Sequence, residues 1–316
     1  MSSVVSDTKK KGVDVNAHDR TEAGWAAAEP GSWATDHVTS RDGTTIGYCR
    51  LGRGPALVLL HGAMSSSHNH IQLAHELADI FTVIVPDRRG RGLSGPYRQG
   101  SVIEQELEDL EAVLGKTGAD NVFGVSSGGI ITLRTAVSHP AIRKSAVFEP
   151  PLSFSREAAS AVLARFDGEM AQGKVAVALI TAMKEARMGP AIFNVMPRWL
   201  LQPLVGMAMR NEAKKPPEGY VPLEAMAPNL RYDFQIVVEM SEKLESFKAI
   251  QAEVLLLGGS KSPAYLKAAL DSLEAVLPRV TRSELHGLDH AASWNADRGG
   301  KPEPVAQALR RFFTAP

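Results

Sequence analysis

Short apolar runs alternate with longer segments of helical spacing through much of the chain. Continuous apolar runs are typical of strands buried on both faces of a parallel sheet. They occur at Ala56–Leu60, 82–85, Asn121–Val125, 145–148 and 254–257, with a further strand predicted at 280–285. Residues 44–50 alternate between polar and apolar side chains after the turn signal Asp42-Gly43, which predicts a small antiparallel hairpin.

Helical spacing lies between these runs, at residues 102–114, 128–138, 263–277 and 303–313. The alternation predicts an α/β fold with a mostly parallel, eight-stranded sheet between helices. It stops between about residues 151 and 246, where the sequence is helix-like, rich in methionine and interrupted by prolines. We therefore predict a polar N-terminal arm (1–36), a core in two segments (37–150 and 247–316) and an inserted helical lid (151–246).

Charge and composition narrow the classes of function. The 316 residues include 35 basic and 35 acidic side chains, so the formal net charge is zero and no nucleic-acid partner is expected. No segment approaches the roughly 20 apolar residues of a membrane span, and we expect no membrane partner. Residues 1–36 lack a secretory apolar run. The single cysteine, Cys49, cannot form an internal disulfide, which favours a cytoplasmic location.

The strongest local signal is the pentapeptide Gly124-Val125-Ser126-Ser127-Gly128, a G-x-S-x-G pattern between a predicted strand and a predicted helix. A serine on so sharp a turn takes a strained backbone, and glycines on both sides remove steric clashes. Ser126 is the candidate nucleophile because it alone has glycine at both −2 and +2. The N–H of Ser127, at the start of the helix, is a natural donor to an oxyanion.

With this motif the chain resembles the α/β-hydrolase superfamily over residues 37–316. His61-Gly62-Ala63-Met64 is similar to the family's oxyanion loop, and the resemblance implies that the N–H of Ala63 is the second oxyanion donor. The block from Asp87 to Gly95 is similar to the family's D-x-R-G-x-G-x-S sequence. We interpret that block as structural, with Asp87 and the arginines bracing a loop.

The resemblance also indicates the other members of a catalytic triad. Gly287-Leu288-Asp289-His290 is similar to the family's histidine loop, so His290 is the expected general base, ahead of His286. The commonest family position for the acid, here residues 259–263, contains no Asp or Glu. Some members, including haloalkane dehalogenases and zearalenone-type lactone hydrolases, carry a glutamate after the sixth strand. Glu149 stands there, with a role as a lid hinge as the alternative.

The resemblance implies a serine hydrolase that cleaves a small hydrophobic ester or lactone through an acyl-enzyme on Ser126. No cofactor and no metal are expected, because the histidines at 61, 68, 70 and 75 lack zinc-ligand spacing and partners. Three alternatives stay open: a serine-dependent C–C bond hydrolase or lyase, a cofactor-independent oxygenase or peroxidase, and a ligand receptor that retains the triad. An intact triad argues against an inactive homologue.

Substrate choice is expected to depend on the lid. Its apolar side chains predict a flexible pocket wall, although many of them belong to ordinary helix cores. The candidates are Met183, Met188, Met196, Met207, Met209, Met226, Met240, Phe193, Trp199, Leu200 and Leu201.

Overall fold

The computed structural model describes residues 33–187, 191–215 and 219–316. Eight strands form one sheet. They are β1 (Ala34–Thr39), β2 (Thr45–Gly52), β3 (Ala56–Leu60), β4 (Thr82–Pro86), β5 (Asn121–Val125), β6 (Lys144–Phe148), β7 (Glu253–Gly259) and β8 (Val280–Leu285). Their order is β1-β2-β4-β3-β5-β6-β7-β8, and every neighbouring pair from β4 to β8 is parallel.

The predicted hairpin is present as the antiparallel pair β1–β2. β1 begins at Ala34, so residues 34–36 form a strand where the sequence analysis placed the end of a polar arm. The strand was missed because it lies at the edge of the sheet and alternates half-buried with exposed residues, without an apolar run. The rest of the predicted arm, residues 1–32, lies outside the described residues.

Helices cover both faces of the sheet. One apolar core packs α2 (Val102–Thr117), α3 (Ser127–Ser138) and α10 (Ala264–Val276) against one face. A second core packs α1 (Ile71–His75) and α11 (Pro302–Thr314) against the other face. Burial on both faces explains why the parallel strands are continuous apolar runs.

Between β6 and β7, where the sequence predicts the lid, the chain forms helices over the carboxyl edge of the sheet. They are α4 (Arg156–Ala171), α5 (Val175–Glu185), α6 (Ala191–Val195), α7 (Arg198–Lys214), α8 (Leu223–Met226) and α9 (Leu230–Met240). A small apolar cluster that includes Phe166, Leu179 and Leu230 joins α4, α5 and α9. None of the helices in the described part of the chain has the length and apolarity needed to cross a membrane.

Candidate active site

Loops at the carboxyl ends of parallel strands build the candidate site. His61 and Gly62 follow β3, Ser126 follows β5, Glu149 follows β6, and the loop after β8 carries His290. These ends lie at one edge of the sheet, where open α/β folds form their ligand sites. Ala63, Ser126, Ser127 and His290 line one cavity there.

The backbone at Ser126 is strained, with φ 55° and ψ −122°. The conformation fits only because the flanking glycines lack side chains. A Cβ on Gly124 would lie 2.4 Å from the carbonyl oxygen of Gly128, and a Cβ on Gly128 would lie 2.5 Å from that of His61. The Ser126 N–H donates to the Phe148 carbonyl, which ties the turn to the end of β6. The elbow predicted from the pentapeptide is therefore present.

Strain is concentrated around this edge of the sheet. Among described residues other than glycine, only Met64, Ser126, Glu149, Arg187 and Glu242 have positive φ. The first three follow β3, β5 and β6 at the candidate site. Such conformations persist only where the surrounding structure enforces them, and they cluster at functional sites.

Glu149 and His290 form the hydrogen bond expected for the acid and base of a triad. The Nδ1–H of His290 donates to Oε2 of Glu149 at 2.7 Å. The other carboxylate oxygen accepts the Gly259 N–H at 2.6 Å, and the Glu149 side chain is fully buried. The end of β7, which has no acid of its own, thus supplies a backbone donor that orients Glu149. His286 and Asp289 are exposed and are not among the cavity-lining residues.

The two expected oxyanion donors belong to residues close to Ser126. Ser127 is the first residue of α3, so its N–H has no acceptor within the helix. Gly62 packs against the elbow: a Cβ atom added to Gly62 would lie only 2.9 Å from the Cβ atom of Ser126. Ala63 follows Gly62 and lines the cavity.

His61 holds the peptide unit that carries the Ala63 N–H. Its Nε2 accepts the backbone N–H of Arg88 at 3.1 Å, so the proton is on Nδ1, which donates to the Gly62 carbonyl at 2.9 Å. The Gly62 carbonyl and the Ala63 N–H belong to one planar peptide. Fixing the carbonyl therefore fixes the direction of the N–H. Burial and the neighbouring guanidinium groups of Arg91 and Arg88 hold the pKa of His61 well below its usual range, so it stays neutral.

Ser127 has a buried side chain that is already fully bonded. Its hydroxyl donates to Oδ1 of Asp233 at 2.7 Å and accepts from Nη1 of Arg88 at 3.0 Å. This pairing explains why Ser127, the neighbour of the elbow serine, is a poor nucleophile candidate. It also links the elbow to α9, which carries Asp233.

Arg88, Arg91, Glu106 and Asp233 form a buried ion network behind the elbow. Arg88 pairs with Glu106 at 2.6 Å and with Asp233 at 2.8 Å, and Arg91 pairs with the other Asp233 oxygen. Burial opposes ionisation of Asp233, but the guanidinium groups of Arg91 and Arg88 and the Ser127 hydroxyl lower its pKa. Asp233 is thus an anion at neutral pH and cannot serve as a general acid in the cavity it lines.

The ion network was not predicted from the sequence. The Asp87–Gly95 block was expected to brace a loop, and Asp87 and Arg89 do so: Asp87 accepts N–H groups of Ser67 and Leu93, and Arg89 pairs with Asp109 and Asp42. Arg88 has an additional role, because its guanidinium group donates a hydrogen bond to the Ser127 hydroxyl beside the elbow. No motif marks Asp233. The only signal in the sequence was indirect: Arg88 and Arg91, if buried, would each require a carboxylate partner.

The cavity has a volume of about 460 Å³ and an almost entirely apolar wall. Of the predicted wall residues, Met183, Phe193 and Leu201 line it. Trp199, Leu200 and Met207 are exposed instead, and Met226 and Met240 are buried in helix packing. The sequence left open which candidates face the cavity, because α7 is apolar on both its inner and its outer face. Met188 lies outside the described residues.

His70 is buried beneath the site and should make stability depend on pH. Its Nδ1–H donates to the Ser293 carbonyl, and burial lowers its pKa from 6.5 to about 4. Below pH 6.5 the unfolded chain gains a proton that folded His70 does not bind until about pH 4. The free energy of unfolding therefore decreases as the pH is lowered through this window. His70 alone accounts for a decrease of about 2 kcal/mol between pH 7 and pH 5.

Chemical denaturation at the two pH values tests this expectation. His70→Gln should remove that share of the loss, whereas His37→Gln, at an exposed position, should leave it in place. An equal loss of stability in wild type and His70→Gln would contradict the prediction.

Within the described ranges, no three His, Cys, Asp or Glu side chains are grouped so as to hold a metal ion.

Comparisons with known proteins agree with this geometry. The profile of the Alpha/beta hydrolase family matches residues 57–308. The solved structure of an alpha/beta hydrolase from Sphaerobacter thermophilus DSM 20745 is 31% identical, covers 88% of this chain and 100% of its own, and gives a TM-score of 0.71.

Curated relatives match over shorter stretches. An uncharacterized hydrolase, YraK, of Bacillus subtilis (strain 168) is 34% identical over 102 residues, which is 31% of this chain and 38% of the relative. A cis-3-alkyl-4-alkyloxetan-2-one decarboxylase of Shewanella oneidensis is 34% identical over 110 residues, which is 33% of this chain and 35% of the relative. The chain thus spans little more than a third of the length of these two proteins.

Proposed function

The chain belongs to the alpha/beta hydrolase family, and from that premise we propose that it is a serine hydrolase of small hydrophobic esters or lactones. The observation that carries the proposal is the 2.7 Å hydrogen bond from His290 to the buried Glu149, at a cavity that also contains the strained Ser126. A carboxylate that accepts the Nδ1–H leaves Nε2 of the imidazole free to take a proton.

Acyl transfer follows from these positions. Ser126 Oγ attacks the carbonyl carbon while His290 Nε2 takes its proton, and the N–H groups of Ala63 and Ser127 bind the oxyanion. The bond to the leaving alkoxide breaks as His290 returns the proton to it. A water molecule, deprotonated by His290, then attacks the acyl-enzyme and releases the acid, with Ser126 recovering its proton.

The cavity wall supports a neutral, apolar substrate. The described wall residues include no lysine or arginine, while Glu185 and the ionised Asp233 are among them. An anionic substrate would find no positively charged residue among them, and the charge of Asp233 is already balanced by Arg88 and Arg91. A volume of about 460 Å³ suits an acyl or lactone group of modest size with apolar substituents.

Labelling with a fluorophosphonate tests the proposal directly. We expect an adduct on Ser126, located by mass spectrometry, together with turnover of p-nitrophenyl esters or aromatic lactones by the same preparation. Ser127→Ala is the matched control, because it keeps the backbone N–H and should still be labelled at Ser126. An adduct confined to another residue, or no adduct with no turnover, would contradict the proposed function.

A second candidate is a lyase that acts on a lactone at the same site. The observation that favours it is the similarity to a relative named as a decarboxylase of an alkyl-substituted oxetan-2-one, which is a four-membered lactone. Product analysis separates the two candidates. A hydrolase converts such a lactone to a hydroxy acid, whereas a decarboxylase releases carbon dioxide.

A further inference from the structure

Helices α6 and α7 expose several large apolar side chains to solvent. Trp199 is 70% exposed and Val195 is 76% exposed. Four more large apolar residues of α6 and α7 are exposed beside them: Ile192, Leu200, Leu204 and Met207. We call these six residues the lid patch. Among the described residues, every exposed large apolar side chain except Leu93 lies in this stretch of the chain, and such a concentration marks a site of interaction.

Helical geometry places basic residues on the same face. Trp199, Pro203 and Met207 follow one another at intervals of four residues, and Arg210 and Lys214 continue the same stripe into the last turn. The only acidic residue of α7, Glu212, points away from this stripe and is paired with Arg298 at 3.5 Å. A chain of zero net charge thus concentrates positive charge at one end of its apolar patch.

The lid patch is continuous with the catalytic cavity. Leu204 is half exposed and also lines the cavity, so the cavity wall reaches the surface within the patch. Phe193, Leu201 and Val205 continue the apolar lining inward from the same two helices. An apolar molecule that leaves a lipid phase at the patch would move along an apolar wall towards Ser126.

We propose that the lid patch seats the protein on an anionic lipid surface, from which the cavity draws its substrate. An exposed stripe of Trp, Leu and Met with basic residues beside it is the composition of a helix that lies in a membrane interface. A second copy of the chain fits less well, because a twofold contact through α7 offers its basic residues no acidic partner: Glu212 lies off the stripe and is paired with Arg298. The proposal departs from the sequence-based expectation of no membrane partner, which was argued from the lack of a membrane span, because a helix that lies on a lipid surface needs no span.

The assignment of the substrate source rests on the proposed function, but lipid binding can be measured without turnover. We would measure co-sedimentation of the full-length Ser126→Ala variant with vesicles of phosphatidylcholine alone or mixed with phosphatidylglycerol. We expect stronger binding to the mixed vesicles, weakened by salt. Adding Trp199→Ala should lower the partition coefficient roughly tenfold, because a large apolar side chain no longer enters the lipid.

The control is Leu93→Ala, at an exposed leucine outside the lid patch, which should not change vesicle binding. In the active protein, Trp199→Ala should retain turnover of a water-soluble ester, since Trp199 is not a cavity-lining residue. Absence of vesicle binding, binding that is indifferent to lipid charge, or a dimer in solution that Trp199→Ala dissociates would each overturn the proposal. Vesicle binding in a protein that turns over no ester would refute the proposed function alone.

Discussion

Replacement of Ser126 by alanine should reduce kcat for an activated ester by roughly a million-fold, the largest effect we expect from any single side chain. The reason is that the substitution removes the attacking atom while the cavity and the two N–H donors remain. The strain at φ 55° belongs to the backbone, so alanine can occupy the same turn. Single-turnover kinetics with a p-nitrophenyl ester measure the loss, and circular dichroism shows whether the fold is kept.

Ser127→Ala provides the matched comparison. It removes the hydroxyl that contacts Asp233 and Arg88 but keeps the helix N-terminus. We expect a far smaller effect on kcat than from Ser126→Ala. Equal losses in the two variants would mean that the Ser127 hydroxyl is as necessary as that of Ser126, and residual burst kinetics in Ser126→Ala would exclude Ser126 as the site of the acyl-enzyme.

Replacement of Glu149 by glutamine should lower kcat by about ten-thousand-fold. The amide can present its NH₂ group towards the imidazole, which favours the tautomer with the proton on Nε2, where it cannot accept from Ser126. The buried amide also loses the negative charge that stabilises the imidazolium during the reaction. Because the side chain is fully buried, thermal unfolding should be measured together with the steady-state kinetics.

Asp289→Asn tests the alternative acid in the same loop. Asp289 lies next to His290 in the sequence, but it is exposed and accepts the N–H of Ala291. We expect activity close to that of wild type. An essential Asp289 combined with a dispensable Glu149 would reverse the assignment of the triad acid.

The sequence was sufficient for the parts of the site that depend on local geometry. Gly124, Ser126 and Gly128 belong to a strand-turn-helix unit. The residues that meet its steric requirements are neighbours in the sequence, so the unit could be predicted. Glu149 was identifiable because the loop at 259–263 has no acid, and its hydrogen bond to His290 is present in the structure. This contact joins the loops after β6 and β8, which flank β7 in the sheet, and the order of these strands follows from the family resemblance.

Contacts between the sheet core and the helices inserted between β6 and β7 could not be predicted in this way. Asp233 contacts Ser127 at a sequence separation of 106 residues, with no motif to connect them. Trp199 and Leu201 are close in sequence and both apolar, yet one is exposed and the other lines the cavity. Hydrophobic periodicity gives the faces of a helix, but it does not say which face meets the substrate when both are apolar.

The pairing of Asp233 with two core arginines also bears on how this family could diversify. A lid that contacted its core only through apolar packing could be exchanged among relatives by recombination, since such surfaces tolerate new neighbours. Here α9 cannot be replaced so freely, because a transplanted helix without the carboxylate would leave Arg88 and Arg91 short of a counter-ion inside the protein. The exchangeable segment therefore ends before α9, and new specificities are expected to be acquired by changes in α5 to α7.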